Sequence, residues 1–471
     1  MTGVTHDSRD VRPGDLFAAL PGEHHHGANF VERAIELGAA AVVTDEAGLA
    51  RVPSGTPTLV CVSPRAELGA LASLIYGDPS SHLDVIGVTG TNGKTTTAYL
   101  VEAGLRAAGR VTGLMGTVET RVAGERIASV RTTPEAPDLQ QTFARMIEAG
   151  VDSVAIEVSS HALALRRIDG TRLRASIFTN LTQDHLDFHK DLEDYYKAKS
   201  RLFSAPLSEI AVINLDDPHG ERLLHATRLP VVTFSAQGSH LADWTVGQRR
   251  IEGWRSIVTM HGPQGEHVTA GLALLGDFNM ANALGAMAAL TSLGIDAPTA
   301  AAGLESLEGV PGRMETVDAG RDFIGLVDYA HTDDALRTLL ATLRGLTDRK
   351  VIVVIGCGGD RDRGKRPLMG AAAVEGADIA ILTSDNPRSE DPLEILEEMM
   401  LGARATTGGR LLSEPDRASA IALAVSLASS GDVVCVAGKG HELGQEIDGR
   451  VIPFDDREVL RSAMELHGAS E

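Results

Sequence analysis

Cysteine is scarce in this chain. Three thiols, Cys61, Cys357 and Cys435, are scattered through 471 residues, which rules out a disulfide framework and offers no paired metal spacing. They read as small buried hydrophobes near strands. Aromatic residues make up only 4%, which argues against base-stacking platforms for nucleic acid. No apolar run reaches the ~18 residues that span a bilayer. The opening MTGVTHDSRD lacks the charged-then-apolar pattern of a secretory signal. Positive charge is also in deficit. Against 64 acidic residues stand 43 basic ones, a formal charge of −21, which repels nucleic acid and anionic membranes at long range. The expectation is a cytoplasmic monomer with no nucleic-acid or membrane partner. Any phosphate ligand must then be held by helix N-termini, a few fixed cations and Mg²⁺.

What is abundant is alternation of short Val/Ile-rich runs with Ala/Leu-rich amphipathic stretches. The apolar runs include 39–45, 85–90, 153–160, 176–181, 210–216, 351–356, 379–385 and 433–438. Fully apolar strands separated by helices imply parallel sheets covered on both faces, the α/β class. The length calls for about three domains. Turn-rich GDPSSHLD (77–84) and GVPGRME (309–315) mark the boundaries. The predicted units are residues 1–84, 85–311 and 312–471. Weak alternation over 236–272 reads as an antiparallel hairpin region inside the middle unit.

The strongest local signal is VIGVTGTNGKTTT (85–97), a strand running into a Gly/Thr-rich turn and then a helix. Gly90 and Gly93 let backbone N–H groups of Thr91 and Asn92 approach phosphate oxygens, and the helix N-terminus adds its dipole. Lys94 would neutralise the β- and γ-phosphates, and Thr95, followed by Thr96, would offer its hydroxyl to Mg²⁺. The strict phosphate-loop pattern needs glycine where this chain has Val88, so the loop is a variant.

Glu157 ends an apolar strand, where a charge is costly unless paired or metal-bound. Just beyond another strand end, NLTQDHLDFH (180–189) clusters His185 and His189 with Asp184 and Asp187, the position at which open sheets bind ligands. A carboxylate with a nearby imidazole suits a Mg²⁺ already carrying phosphate oxygens. Asp184 and Asp187 individually read as turn residues. Lys197 and Lys199 follow on a helical stretch.

TGTNGKTTT resembles the ATP loop of the Mur ligases, which depart from the common phosphate loop in the same way and share it with folylpolyglutamate synthases. The resemblance extends in order through all three predicted units. It implies a central phosphate-loop-type mononucleotide-binding domain with a mostly parallel sheet, flanked by an N-terminal UDP-binding domain and a C-terminal Rossmann-like domain. It also implies that Lys199 is carbamylated to N6-carboxylysine. Glu157, His185 and that carbamate would then hold one Mg²⁺, and Thr95 with Glu157 another. LGDFNMAN (275–282) matches a family segment whose Asn279 and Asn282 would read the adenine side of ATP. Ser8, Thr132, Thr133, Ser159 and Arg167, together with Lys199, resemble positions that grip UDP-N-acetylmuramoyl-L-Ala-D-Glu. The three histidines 24–26 read as a phosphate- or uracil-facing loop.

In the third unit, Asp328 and His331 of VDYAHTDDAL (327–336), and Arg313 before it, resemble nucleotide contacts, with Asp333 where the family usually has proline. GCGGDRDRGKRPLMG (356–370) is another anion-facing strand-to-helix turn. Asp385-Asn386-Pro387-Arg388 resembles the segment of members that add diaminopimelate, whose extra carboxylate an arginine can pair. Arg361, Gly438 and Glu442 complete that pocket by resemblance.

The implied activity is ATP-dependent C–N ligation of diaminopimelate to UDP-N-acetylmuramoyl-L-Ala-D-Glu in peptidoglycan synthesis, with consequences for cell shape and division. Lys94, Glu157, His185 and Lys199 would be the catalytic residues. Two alternatives stay open at this point: a lysine-adding or folylpolyglutamate-type ligase, and a nucleotide-binding regulator without chemistry.

Overall fold

The structure is a computed structural model that describes residues 1–22 and 24–468. It is an α/β architecture built on three main sheets. The N-terminal sheet has four parallel strands, Val4–Thr5, Leu16–Ala18, Ala41–Thr44 and Thr58–Val60, in chain order. The middle sheet has eleven strands. At its centre Asp84–Thr89 lies between Leu173–Phe178 and Ser153–Glu157, parallel to both. Ser208–Asn214 and Val231–Ser235 extend the parallel run on one side, and Thr112–Met115 does so on the other. Antiparallel pieces finish both edges. Trp244–Glu252, Arg255–His261 and His267–Leu272 form a meander over the stretch that the sequence marked as hairpin-like. Glu119–Val122 and Glu125–Ala128 form a hairpin at the far edge, which the sequence did not reveal.

The apolar strand runs have a direct physical cause. Along Asp84–Thr89, Ile86 and Val88 enter one core, while Val85 enters another on the opposite face. Ala175 and Ile177 alternate with Phe178 in the same way. The helix Lys94–Ala107 covers the first face together with Asp277–Ser292, and Ala136–Glu148 covers the second. A strand with both faces buried cannot show polar alternation. Full burial of each large aliphatic side chain contributes about 1.5–3 kcal/mol.

The third sheet runs Glu315–Val317, Ile324–Asp328, Val433–Ala437, Val351–Cys357, Ile379–Ser384 and Arg410–Ser413. All its pairings are parallel except the first. Val351, Val353 and Ile355 face one core, and Ile352 and Val354 the other. The first of these cores crosses the unit boundary, because Leu275 sits in it and Phe278 packs against it. No helix among the described residues is long and apolar enough to cross a membrane.

Candidate active site

The middle sheet changes strand order at Asp84–Thr89, and the phosphate loop leaves its carboxyl end there, where open α/β sheets bind ligands. Gly90 has φ +159° and Gly93, which precedes the helix Lys94–Ala107, has φ +86°. A Cβ at Gly93 would collide with Asn282 Oδ1. The loop is strapped to the chain after the neighbouring strand. Thr91 N donates to Asn180 O, and Asn92 N donates to Asn180 Oδ1, both at 2.9 Å. Lys94 Nζ folds back to Gly90 O at 3.0 Å and Thr91 O at 2.8 Å. Burial pushes its amine below the usual lysine range.

Lys199 reaches the same carbonyl. Its Nζ donates to Gly90 O at 2.7 Å and lies over the Tyr195 ring, 4.5 Å from the centroid. The side chain is 1% exposed, and burial, reinforced by the charge of Lys94, holds its amine well below the ordinary value. Desolvation and the neighbouring Lys94 charge both disfavour its ammonium form.

Glu157 is the buried carboxylate of the site. Thr95 Oγ1 donates to Glu157 Oε2 at 3.0 Å, Thr117 N to Oε1 at 2.7 Å and Thr117 Oγ1 to Oε2 at 3.1 Å. The Thr95 and Glu157 oxygens are hard donors of the kind Mg²⁺ takes. His185, at φ +55°, lies beside Asp184, Nε2 to Oδ2 at 3.4 Å. Burial holds its imidazole well below the usual histidine range, opposed by Asp184. A neutral ring of this kind is the ligand form. Burial raises Asp184, but His185, His331 and Lys365 outweigh it and hold the acid below its ordinary value. Among the described residues no three His, Cys, Asp or Glu side chains converge on one point.

A cleft of about 630 Å³ opens above these groups. It collects Thr91 to Thr96, Thr132, Thr133, Glu157, Ser159, Arg167, His185, Lys199, Asn279, Asn282, Arg313, Asp328, His331 and Arg361. Thr133 Oγ1 donates to Glu157 O at 2.9 Å and accepts from Ser159 N at 3.0 Å. Thr132 Oγ1 meets Thr117 Oγ1 at 3.0 Å. Arg167 pairs with Glu135 at 2.8 Å, so its fork is already partly engaged. Asn279 Nδ2 donates to Leu275 O at 2.9 Å and Asn282 Nδ2 to Asn279 Oδ1 at 3.0 Å, tying the helix Asp277–Ser292 to its entry loop.

The C-terminal unit closes the cleft. Arg313 Nη2 donates to Thr95 Oγ1 at 3.1 Å while its guanidinium stacks 4.5 Å from the Tyr329 ring centroid. Asn92 Nδ2 donates to Asp334 Oδ2 at 3.4 Å. Asp328 accepts from Met314 N and Ala330 N, both at 2.7 Å, and burial raises its carboxyl. His331 Nδ1 lies 2.8 Å from Tyr329 O, and burial lowers its imidazole.

Two sequence readings fall elsewhere. Ser8 sits in a turn of the first unit, outside the residues that line this cleft. Of the three histidines, His26 serves the fold. Its Nδ1 accepts from Ala28 N at 3.0 Å and its Nε2 meets Asp45 Oδ1 at 3.0 Å, whereas His24 and His25 form an exposed bend.

The Asp385–Arg388 segment forms a second, adjoining cluster. Arg388, at φ +53°, donates from Nη1 to Gly359 O at 2.6 Å and from Nε to Glu446 Oε2 at 3.2 Å. Its backbone pairs with the hairpin Gly444–Ile447 and Arg450–Pro453. Asn386 Nδ2 donates to Glu442 Oε2 at 2.8 Å. A Cβ on Gly358 would lie 3.0 Å from Arg388 Nη1 and 3.8 Å from Arg361 Cγ. Arg361 therefore stands between this cluster and the cleft it lines.

Models of known families match in three consecutive blocks. The Mur ligase family catalytic domain matches residues 1–75, the Mur ligase middle domain 88–290, and the Mur ligase glutamate ligase domain 312–440. A UDP-N-acetylmuramoyl-L-alanyl-D-glutamate--2,6-diaminopimelate ligase of Streptomyces coelicolor is 54% identical over 98% of this chain and 92% of its own length. The chain belongs to the Mur ligase family.

A Corynebacterium glutamicum Mur ligase of the same description is 44% identical, covering 97% of this chain and 90% of its own. A solved structure of that description superposes with TM-score 0.70 at 34% identity, covering 99% of this chain and 95% of that one. A MurF ligase from Thermotoga maritima, solved with ADP, shares the fold at TM-score 0.67 and 17% identity, covering 99% of this chain and 98% of its own.

Several residues of this Mur ligase site were not visible in the sequence. Thr117 supplies two of the donors to Glu157, forty residues before it in the chain. Lys439 sits fully buried between Asn386 and Glu442. Arg417, also fully buried, donates to Ser384 O, Ala437 O and both Asp456 oxygens, bracing the strand ends that carry the second cluster. Lys439 lies between Gly438 and Glu442, which the resemblance had singled out, and its cue, like that of Arg417, is a charge next to an apolar run; Thr117 carries no such cue.

Proposed function

We propose that this chain is an ATP-dependent ligase joining diaminopimelate to the D-glutamate γ-carboxylate of UDP-N-acetylmuramoyl-L-Ala-D-Glu, a cytoplasmic step of peptidoglycan precursor synthesis on which cell shape and division depend. The observation that carries the reading is the adjacency of two sites. A phosphate loop with its carboxylate, Glu157, opens into the same cleft as Arg361, behind which Arg388 and Glu442 offer one cation and one anion to an amino acid.

The γ-carboxylate oxygen attacks the γ-phosphorus of ATP and ADP leaves, giving an acyl phosphate. The amine of diaminopimelate then attacks the acyl carbon, inorganic phosphate leaves, and the nitrogen gives up a proton. Lys94 has two of its donors on the loop and a third for phosphate oxygens. The N–H groups of the loop and the helix Lys94–Ala107 add fixed positive dipoles where charge develops. Arg313, Asp328 and His331 bring the C-terminal unit over the nucleotide and exclude water that would hydrolyse the acyl phosphate. Thr95 and Glu157 would hold one Mg²⁺, and Glu157, His185 and carbamylated Lys199 a second. Bound there, these ions neutralise phosphoryl charge. The downward shift of the buried Lys199 amine supports carbamylation, in which N–C bond formation with CO₂ releases one proton. Asn279 and Asn282 are assigned to the adenine side of ATP. Thr132, Thr133, Ser159, Arg167 and, from the first unit, Ser8 are assigned to the UDP-sugar peptide. The units 1–84, 85–311 and 312–471 and a monomeric state belong to the same proposal.

The test is ATP-dependent phosphate release with UDP-N-acetylmuramoyl-L-Ala-D-Glu and diaminopimelate, lysine or a folate acceptor with glutamate, with product mass measured. Turnover confined to diaminopimelate is expected. Turnover with lysine alone or with the folate pair, or none with any of them, refutes the assignment.

A further inference from the structure

Lys439 follows Gly438 at the end of the strand Val433–Ala437, and its side chain is 0% exposed. Burying a lysine is unfavourable unless its charge and donors are matched. Here they are matched entirely inside the amino-acid pocket. Nζ donates to Asn386 Oδ1 at 2.9 Å and to Glu442 Oε2 at 3.1 Å, with Asp385 Oδ1 at 4.0 Å. Asn386 Nδ2 donates to the same Glu442 oxygen at 2.8 Å, and Asn386 Oδ1 also accepts from Glu446 N at 2.9 Å. Two donors therefore occupy Glu442 Oε2. Oε1 has no hydrogen bond to the described residues, and the Glu442 side chain is 34% exposed.

From this geometry we infer that Lys439 is a positioning residue for the incoming amino acid, acting through Glu442 and Asn386. It draws one Glu442 oxygen inward, which turns the other toward the pocket to receive an ammonium. It also sets the charge balance. Asp385 and Glu442 bring two negative charges and Lys439 one positive, leaving one negative charge for one ammonium. Arg388, beside them, already pairs with Glu446 Oε2 at 3.2 Å and keeps Nη2 for a carboxylate. The pocket thus offers an acceptor for an ammonium at Glu442 and a donor for a carboxylate at Arg388. This inference rests on the diaminopimelate reading given above.

The experiment compares K439M and K439Q with the wild-type enzyme in steady-state ligation, varying diaminopimelate, ATP and the UDP-sugar dipeptide in turn. K439M is expected to raise KM for diaminopimelate roughly 10- to 100-fold, the scale of losing a hydrogen bond to a charged group. Its kcat, and its KM for the other two substrates, should stay within about twofold of wild type. K439Q keeps a donor without the charge and should fall between the two. A role confined to holding the fold would lower kcat, or move all three KM values together. Either pattern overturns the inference. So does failure of both variants to yield folded enzyme by circular dichroism. If the wild-type enzyme itself does not use diaminopimelate, the functional proposal falls instead. If it does, and K439M leaves that KM unchanged, only the role of Lys439 is lost.

Discussion

Replacing Arg388 by alanine separates amino-acid selection from nucleotide binding. The backbone at this position is anchored independently of its side chain, with Arg388 N donating to Glu446 O at 2.9 Å and Asp448 N donating to Arg388 O at 2.8 Å. The loop should therefore survive the change. What disappears is a guanidinium whose Nη1 and Nε are held by Gly359 O and Glu446 Oε2, which leaves Nη2 to face a ligand. One hydrogen bond to a charged partner is worth about 1.5–3 kcal/mol. At 1.36 kcal/mol per decade that is roughly a 10- to 150-fold loss in kcat/KM for diaminopimelate. A forked pair would cost more. Lysine lacks the second carboxylate, so any residual use of lysine should be unchanged, and the preference for diaminopimelate should shrink by the same factor. The assay is phosphate release at saturating ATP and UDP-sugar dipeptide, with KM for ATP measured alongside. Equal losses toward ATP and diaminopimelate, or no loss toward diaminopimelate, would refute the assignment of Arg388.

Burial depresses the Lys199 amine well below 10.5, so between that lowered value and about 10.5 the unfolded chain binds more protons and stability falls as pH falls. In CO₂-free buffer K199M should melt higher than wild type near neutrality, with the gap closing as pH approaches about 10.5; a constant gap in thermal melts would contradict a buried neutral amine. Gly93→Ala places a Cβ against Asn282 Oδ1 at a φ of +86° and should weaken ADP affinity by roughly tenfold or more in calorimetry, since a non-glycine residue in this region costs about 1–2 kcal/mol before the collision is counted. Arg417→Met leaves Asp456 buried without its partner, both side chains being 0% exposed, and should cost about 3–5 kcal/mol in chemical denaturation. The double change R417M/D456L should recover much of that loss, and a single variant as stable as wild type would show that the pair is not structurally important.

The parts of the fold that were legible in the sequence are those where local chemistry admits one solution. Val85, Ile86 and Val88 are apolar because both sheet faces are covered, and Gly90 and Gly93 are glycine because the loop has positive φ there. The phosphate loop and the sheet class follow from such constraints. Partners remote in the chain leave no periodicity. Arg313 bonds Thr95 across 218 residues, and Lys439 meets Asn386 across 53. The three histidines of the run part ways: His26 turns inward to Asp45 while His24 and His25 stay exposed. Asp184 read as a turn residue, and its backbone role is local, His185 N donating to its Oδ1 at 2.8 Å. Beyond its neighbour His185, the groups that lower its carboxyl include His331 and Lys365 of the C-terminal unit, which its surroundings in sequence could not show.

The joint between the nucleotide unit and the C-terminal unit has two characters. Leu275 is seated in the C-terminal apolar core and Phe278 packs against it, whereas Arg313–Thr95 and Asn92–Asp334 are polar contacts beside the phosphate loop. Attachment therefore rests on packed apolar side chains at one place, while at another the polar contacts hold the C-terminal unit over the phosphate loop.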